Sequence, residues 1–250
     1  MMNARHSKSS RTSPRSKQRP HPPASLDVPT LVCDAELFRG LSLSTCKAIL
    51  AAGHLQYAAA GTIQACQGNP STTCYVVLNG EVRLAQLTPE GKRVIIDIIG
   101  PGAHLGFFVA LSGKPYPVSA EIIEDSYLYA WDTEVMRELI LSTPQLTLNA
   151  LSALSDRVVC LQTKVQQLAT ERVEQRIAHS LLTLAQHMGK EQEDGILIDM
   201  PVTHRDLAEM SGTNIYSVSR VLHKWEEESL IATGRKRIVL CHPDGLIKHT

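Results

Sequence analysis

The 250-residue sequence predicts an α+β chain in three parts: an antiparallel β-rich sandwich or barrel, one long helix, and a C-terminal helix pair followed by a hairpin. Three observations carry this. Eight of the 15 glycines fall between Gly61 and Gly113 and punctuate short apolar runs, so that turns recur about every ten residues. Apolar residues then step by 3, 4, 3, 4 and 3 from Leu151 to Leu168, a heptad rhythm. Finally, two short amphipathic segments meet at Ser211-Gly212, as in a helix-turn-helix.

Composition bounds the function. Hydrophobic residues make up 43% and charged residues 20%, enough apolar content to bury a real core. Lys plus Arg number 25 and Asp plus Glu number 25, which excludes a bulk polycation that coats nucleic acid by charge alone. No run approaches the ~18 apolar residues of a membrane span, because Val94-Ile95-Ile96 meets Asp97 and Ala48 to Ala52 meets Gly53. The six cysteines form no CxxC pair and, with no secretory signal, read as reduced thiols of a cytoplasmic protein. Nothing in their spacing asks for an iron–sulfur cluster. There is no P-loop, GxSxG, HExxH or paired metal ligand, so neither an enzyme nor a metal site is expected.

Residues 1–30 form a separate zone. Arg5, Lys8, Arg11, Arg15, Lys17 and Arg19 oppose only Asp27, among serines and prolines. Such a stretch buries too little to offset its ordering entropy and is expected to be a disordered basic tail. An Arg- and Ser-rich start also matches a transit peptide, but the prolines interrupt the helix such a peptide needs. Residues 31–132 follow as one unit. Helix is expected over 34–38 and 44–52, with Gly53 as its stop. Strands are expected at 74–78, 82–87, 94–99, 118–123 and 127–131. Asn79-Gly80 reads as a tight hairpin, since both its turn positions favour positive φ.

A long helix is expected over 133–169, with Pro144 in a first turn where its missing N–H costs nothing. Its seam is Leu151, Leu154, Val158, Leu161, Val165 and Leu168, flanked by polar residues. A wider stripe would pack on its own domain; one this narrow suits a partner helix, most simply a second copy in a homodimer.

Residues 170–250 complete the chain. A helix over 173–188 turns Val173, Ile177, Leu181, Leu184 and Ala185 inward, and 189–195 is a polar break. Thr203 with Asp206 is a near-miss of the capping box. Thr213 or Asn214 caps a second helix to about residue 228, with Val218, Val221, Leu222 and Trp225 inward. Thr213, Asn214, Ile215, Tyr216, Ser217, Ser219, Arg220 and Lys224 are left to the outer face or its margin, and Arg235 and Lys236 to the tip of a hairpin wing. From residue 200 onward seven Lys/Arg meet six Asp/Glu. Affinity for double-stranded DNA would therefore come from a local patch of phosphate contacts.

The ordered set of β-roll, heptad helix, helix-turn-helix and basic wing resembles the bacterial Crp–Fnr family, relatives of the cAMP receptor protein and the fumarate–nitrate reduction regulator. The best-matching stretches are CYVVLNGEVRL, GKRVIIDIIGPGAHLGFF and VTHRDLAEMSGTNIYSVSRVLHKWEEESLI. The resemblance implies a homodimeric transcription regulator: a cyclic-nucleotide-binding-type roll as sensor, a dimerisation helix, and a winged helix-turn-helix that reads palindromic DNA and works with RNA polymerase. It gives Arg220 the base-contacting role, suited to bidentate contact with guanine. Many relatives carry Glu where this chain has Tyr216, so the operator should differ at that base pair, unless Tyr216 instead packs on Trp225 or the wing. Where cyclic-nucleotide binders carry the ribose Glu and the phosphate Arg, this chain has Phe107 and Val118, which argues against cAMP. The effector is therefore unknown. Haem stays an open alternative, with His54, His104, Cys66 and Cys74 as conceivable ligands and none assigned; Cys66 and Cys74 are also a weak redox-pair candidate. The competing function is a ligand-binding adaptor whose winged helix binds protein rather than DNA.

Overall fold

A computed structural model describes residues 26–234 and 237–248. The tail thus lies outside the described residues up to position 25. Its expected boundary at 30 is moved: Asp27 accepts from the Thr30 backbone N–H and opens helix α1 (Val28–Asp34). A 3₁₀ turn (Glu36–Phe38) and α2 (Leu43–Ala51) follow. Gly53 ends this segment for reasons of space rather than by a left-handed turn. A Cβ there would sit 2.6 Å from both the Trp131 indole nitrogen and the Tyr129 ring.

The β-rich part contains β1 (His54–Ala58), β2 (Ile63–Ala65), β3 (Thr73–Asn79), β4 (Val82–Leu87), β5 (Arg93–Ile99), β6 (His104–Leu105), helix α3 (Phe107–Ser112), β7 (Ser119–Ile122) and β8 (Ser126–Asp132). Two antiparallel four-stranded sheets result, ordered β1-β8-β3-β6 and β2-β7-β4-β5. The uninterrupted apolar run of β3 is explained by burial on both faces. Cys74, Val76 and Leu78 face a core shared with the helices, and Tyr75 and Val77 face the interior between the sheets. The Asn79-Gly80 hairpin does not form. Asn79 stays in β3 opposite Tyr127, and the chain crosses to the other sheet through Gly80 at φ 85. Gly80 is needed there twice over, since a Cβ would lie 2.1 Å from the Ser126 hydroxyl.

The expected single helix over 133–169 is two: α4 (Thr133–Ser142) and α5 (Pro144–Thr170). Thr143 is extended, as the residue before a proline tends to be. Leu146, Ala150 and Ala153 bury the first half of α5 against the rest of the molecule. The seam from Leu151 to Leu168 stays 41–66% exposed, and no apolar partner covers it among the described residues.

The C-terminal part runs α6 (Val173–Met188), β9 (Gly189–Gln192), β10 (Gly195–Ile198), α7 (His204–Ser211), α8 (Ile215–Glu227), β11 (Ile231–Gly234), β12 (Arg237–Leu240) and α9 (Pro243–Ile247). The expected polar break at 189–195 is a strand pair, because the sheet β11-β12-β10-β9 gives its backbone partners. Ile177, Leu181 and Leu184 are fully inward, with Val173 and Ala185 at the margin of the same core. That core also takes in Ile95 and Ile98 of β5, so the helix-turn-helix part is seated on the β2-β7-β4-β5 sheet.

Candidate nucleic-acid interface

The helix-turn-helix is fixed by its caps. The Asp206 backbone N–H donates to Thr203 Oγ1 at 3.1 Å, and the Thr203 N–H donates to Asp206 Oδ2 at 3.0 Å. The shorter Asp side chain thus closes the reciprocal box that normally takes Glu. Gly212 ends α7 at φ 63, and Asn214 rather than Thr213 caps α8, accepting from the Ser217 N–H at 2.9 Å. Arg176 of α6 holds the pair in place, donating to the Ser211 and Glu171 carbonyls at 2.8 and 2.7 Å.

One side of α8 is core: Val218, Val221, Leu222 and Trp225 are buried. The opposite side stands free. Tyr216 is 87% exposed, which removes the expectation that it packs on Trp225 or the wing. Asn214, Ile215, Ser219 and Arg220 are exposed beside it, while Thr213 and Ser217 sit half-buried at the rim. Lys224 is on the same helix, but its ammonium is held 2.7 Å from Glu174 and 4.0 Å from Glu228. It must leave Glu174 before it can serve a phosphate. Arg235 and Lys236 lie outside the described residues; the strands on either side of them pair from Ile231 to Leu240. Glu226, one of the acids at the far end of α8, accepts from the Thr233 N–H at 3.1 Å and braces the wing.

Sequence reasoning missed Arg172. It is exposed at the start of α6 and lines one surface hollow with Arg220 and Lys224. Arg172 and Arg220 lie 48 positions apart, and only the packing of α6 on α8 makes them neighbours. The two arginines, beside a Lys224 that Glu174 of the same hollow holds, give this face of α8 a local positive edge suited to backbone phosphates.

The roll offers different chemistry. Phe107 is fully buried among aromatic rings, 6.2 Å from Phe38, 6.1 Å from Trp131 and 5.6 Å from His104 between centroids. It therefore belongs to the helical core rather than to the space between the sheets. Val118 packs at the edge of that inter-sheet core, which is lined by Tyr75, Leu84, Leu105, Tyr116 and Ala120. Tyr116 crosses it to donate to the Thr73 carbonyl at 2.6 Å.

The conceivable haem ligands sit in unlike settings. His54 and Cys66 are exposed; burial pushes the Cys74 thiol up to about 12; burial, then Arg157, pushes His104 down to about 4. Cys74 is buried and Cys66 exposed, and both are free thiols. The thiols that approach one another are Cys33 and Cys46, and burial, then Cys46, raises Cys33 to about 11. Among the described residues no group of three His, Cys, Asp or Glu is placed to hold a metal ion, and no helix is long and apolar enough to cross a membrane.

Comparison with known proteins bears on both halves. A Crp-like helix-turn-helix domain matches residues 175–249, and a cyclic nucleotide-binding domain matches residues 55–143. The chain is 26% identical to the global nitrogen regulator of Synechococcus elongatus, over 72% of this chain and 82% of that one. It is 29% identical to the cyclic AMP receptor protein of Thermus thermophilus, over 67% of this chain and 74% of that one. Among solved structures, a CRP-family transcriptional regulator from Thermus thermophilus superposes with a TM-score of 0.65 at 27% identity, covering 78% of this chain and 95% of that one.

Proposed function

The chain belongs to the Crp–Fnr family of DNA-binding transcription regulators, and from that premise we propose that it acts as a homodimer whose two α8 helices read the halves of one palindromic operator. The exposed heptad seam of α5 carries the dimeric reading. Six apolar residues in register along one face, each at least 41% exposed, make an interface that only another helix of the same pattern completes. Pairing there sets two reading helices about one duplex turn apart, ~34 Å, in successive major grooves.

In this reading residues 31–132 are the sensor, α5 joins the copies, and residues 170–250 read DNA. Arg220 carries base recognition by its fork of donors to guanine. Tyr216, Ser217 and Ser219 set the adjoining contacts, and Lys224 with the wing residues Arg235 and Lys236 serves phosphates. The sensor does not take cAMP: the two positions that would hold ribose and phosphate are Phe107, spent in an aromatic core, and Val118. An apolar effector, or none, suits the inter-sheet lining better. The protein works in the cytoplasm and meets RNA polymerase at the promoter.

The test is selection from a random duplex library at several salt concentrations. The expected product is an inverted repeat, and Arg220→Ala should lose it while remaining dimeric. Removing one bidentate contact should weaken discrimination at one base pair by about 1–3 kcal/mol in each half-site. If no sequence is selected, or Arg220→Ala footprints like the parent, the reading fails and the protein-binding adaptor takes its place.

A further inference from the structure

We infer that the β2-β7-β4-β5 sheet is the coupling element between sensor and reader, and that Arg83 is the positioning residue through which the roll acts on the helix-turn-helix. The inference rests on the reading of the roll as sensor and of α8 as DNA reader. It begins with the two-residue period of a strand. In β4, Val82 and Leu84 face the inter-sheet core, where an effector would sit, and Arg83 between them faces outward. In β7, Ala120 and Ile122 face the same core and Glu121 faces outward, directly opposite Arg83 in the register. β4 thus has one side in the roll interior and the other, through Arg83, against the reader, while Glu121 of β7 reaches that outer side through its pairs with Arg83 and Arg93.

What the outer side touches is α7. Arg83 is only 9% exposed and donates to Asp206 Oδ1 at 2.9 Å and to Glu121 Oε2 at 3.3 Å. Arg93 of β5 joins Glu121 and lies 3.6 Å from Glu209. Beside the charges, Ile95 and Ile98 of β5 enter the core that holds Leu207 and Ala208 of α7. Asp206 is the pivotal acceptor. Its Oδ1 takes Arg83 from the roll, while its Oδ2 takes the Thr203 N–H and hydroxyl at 3.0 and 2.7 Å, closing the cap of α7. One carboxylate, 7% exposed, therefore both starts the first helix of the motif and anchors it to the sheet.

A charge pair this buried tolerates little displacement, because either partner left alone is an uncompensated charge in a poorly solvated place. A shift of β4 toward or away from the roll interior moves Arg83 against Asp206 and turns α7, and with it α8, relative to the α5 seam. Coupling of this kind is reciprocal: what the roll does to DNA binding, DNA must do to the roll. That reciprocity makes the device testable before the effector is identified.

The experiment is hydrogen exchange by mass spectrometry on the full chain, with and without a duplex the chain has itself selected from a random library. Peptides covering 82–87 and 119–122 touch no DNA, yet in the parent their exchange should slow by about fivefold or more on adding duplex, the lower end of ordinary coupling. In Arg83→Met and Glu121→Gln, the duplex should still protect residues 215–227 and leave 82–87 and 119–122 unchanged. Arg83→Lys, which keeps the charge, should recover part of the effect. Peptides covering 73–79 and 126–132, in the other sheet, report whether the variant roll is folded; their parent-like rates make the comparison valid, and Arg93→Met, at a more exposed position, serves if Arg83→Met fails this check. Parent-like coupling in the folded variants, or protection of 215–227 with none in the sheet of the parent, overturns the inference. Absence of protection at 215–227 in the parent would defeat the DNA reading itself, and the coupling with it.

Discussion

Tyr216 and Arg220 sit four residues apart on the free side of α8, so they are neighbours on one helical turn, and in the proposed reading they face adjoining base pairs. Tyr216 has no carboxylate with which to accept from a cytosine amino group. Tyr216→Glu should therefore change the preferred base at that operator position rather than weaken binding evenly, which selection with the variant would reveal as an altered consensus. A second residue-scale prediction concerns Glu81, buried where the roll approaches Lys190 of β9 and Asp199 after β10. Burial first, then Glu124 and Asp199, raise its carboxyl to about 8, against the ordinary 4.5, and Lys190 offsets only part of this. The folded chain thus holds a proton that the unfolded chain releases, so stability falls as pH rises from about 4.5 toward 8. Melting midpoints should decline across that window in the parent and stay flatter in Glu81→Gln; equal slopes would contradict the assignment. What the sequence shows at this scale is which α8 residues point in and which point out, since a period of 3.6 settles it. It does not show Arg172 beside Arg220, or Arg83 on Asp206, because those pairs are 48 and 123 positions apart and only tertiary packing creates them.

Among the elements, strands β3, β4, β5, β7 and β8 are legible because glycine punctuation and β-branched runs agree with one another, whereas the two-residue β6 is too short to leave such a signal. The Asn79-Gly80 turn misleads because the same dipeptide serves a sheet crossing, where the deciding force is the nearness of Ser126 rather than hairpin twist. Likewise 189–192 looks too polar for a strand, and forms one because β10 supplies its backbone partners. Gly53 at the end of α2 gives an element-scale test. Gly53→Ala presses a methyl group onto Trp131 and Tyr129, an overpacking cost of about 1–3 kcal/mol, so the melting midpoint should fall by several degrees. An unchanged midpoint would mean that the α2–β1 junction relaxes freely. On α5, Leu161→Asp puts a charge at the middle of the seam while leaving the helix fold of one copy intact. Paired copies would have to bury two such charges, so the variant should sediment as a monomer and lose operator affinity.

For the whole molecule, the β-rich part and the helix-turn-helix part are bound by more than the chain that connects them: apolar β5 side chains enter the core around α7 and α8, and the Arg83–Asp206 pair closes the joint. That seating was invisible in the linear order of motifs, which fixes the sequence of parts but not which sheet meets which helix. It leaves two exposed features on a single copy, the open apolar stripe of α5 and the free side of α8. A second copy answers both at once. Sedimentation velocity at micromolar concentration, with and without selected duplex, tests this most directly. The account predicts a free species of twice 27.4 kDa that binds one duplex; a particle of 27.4 kDa under both conditions would contradict it.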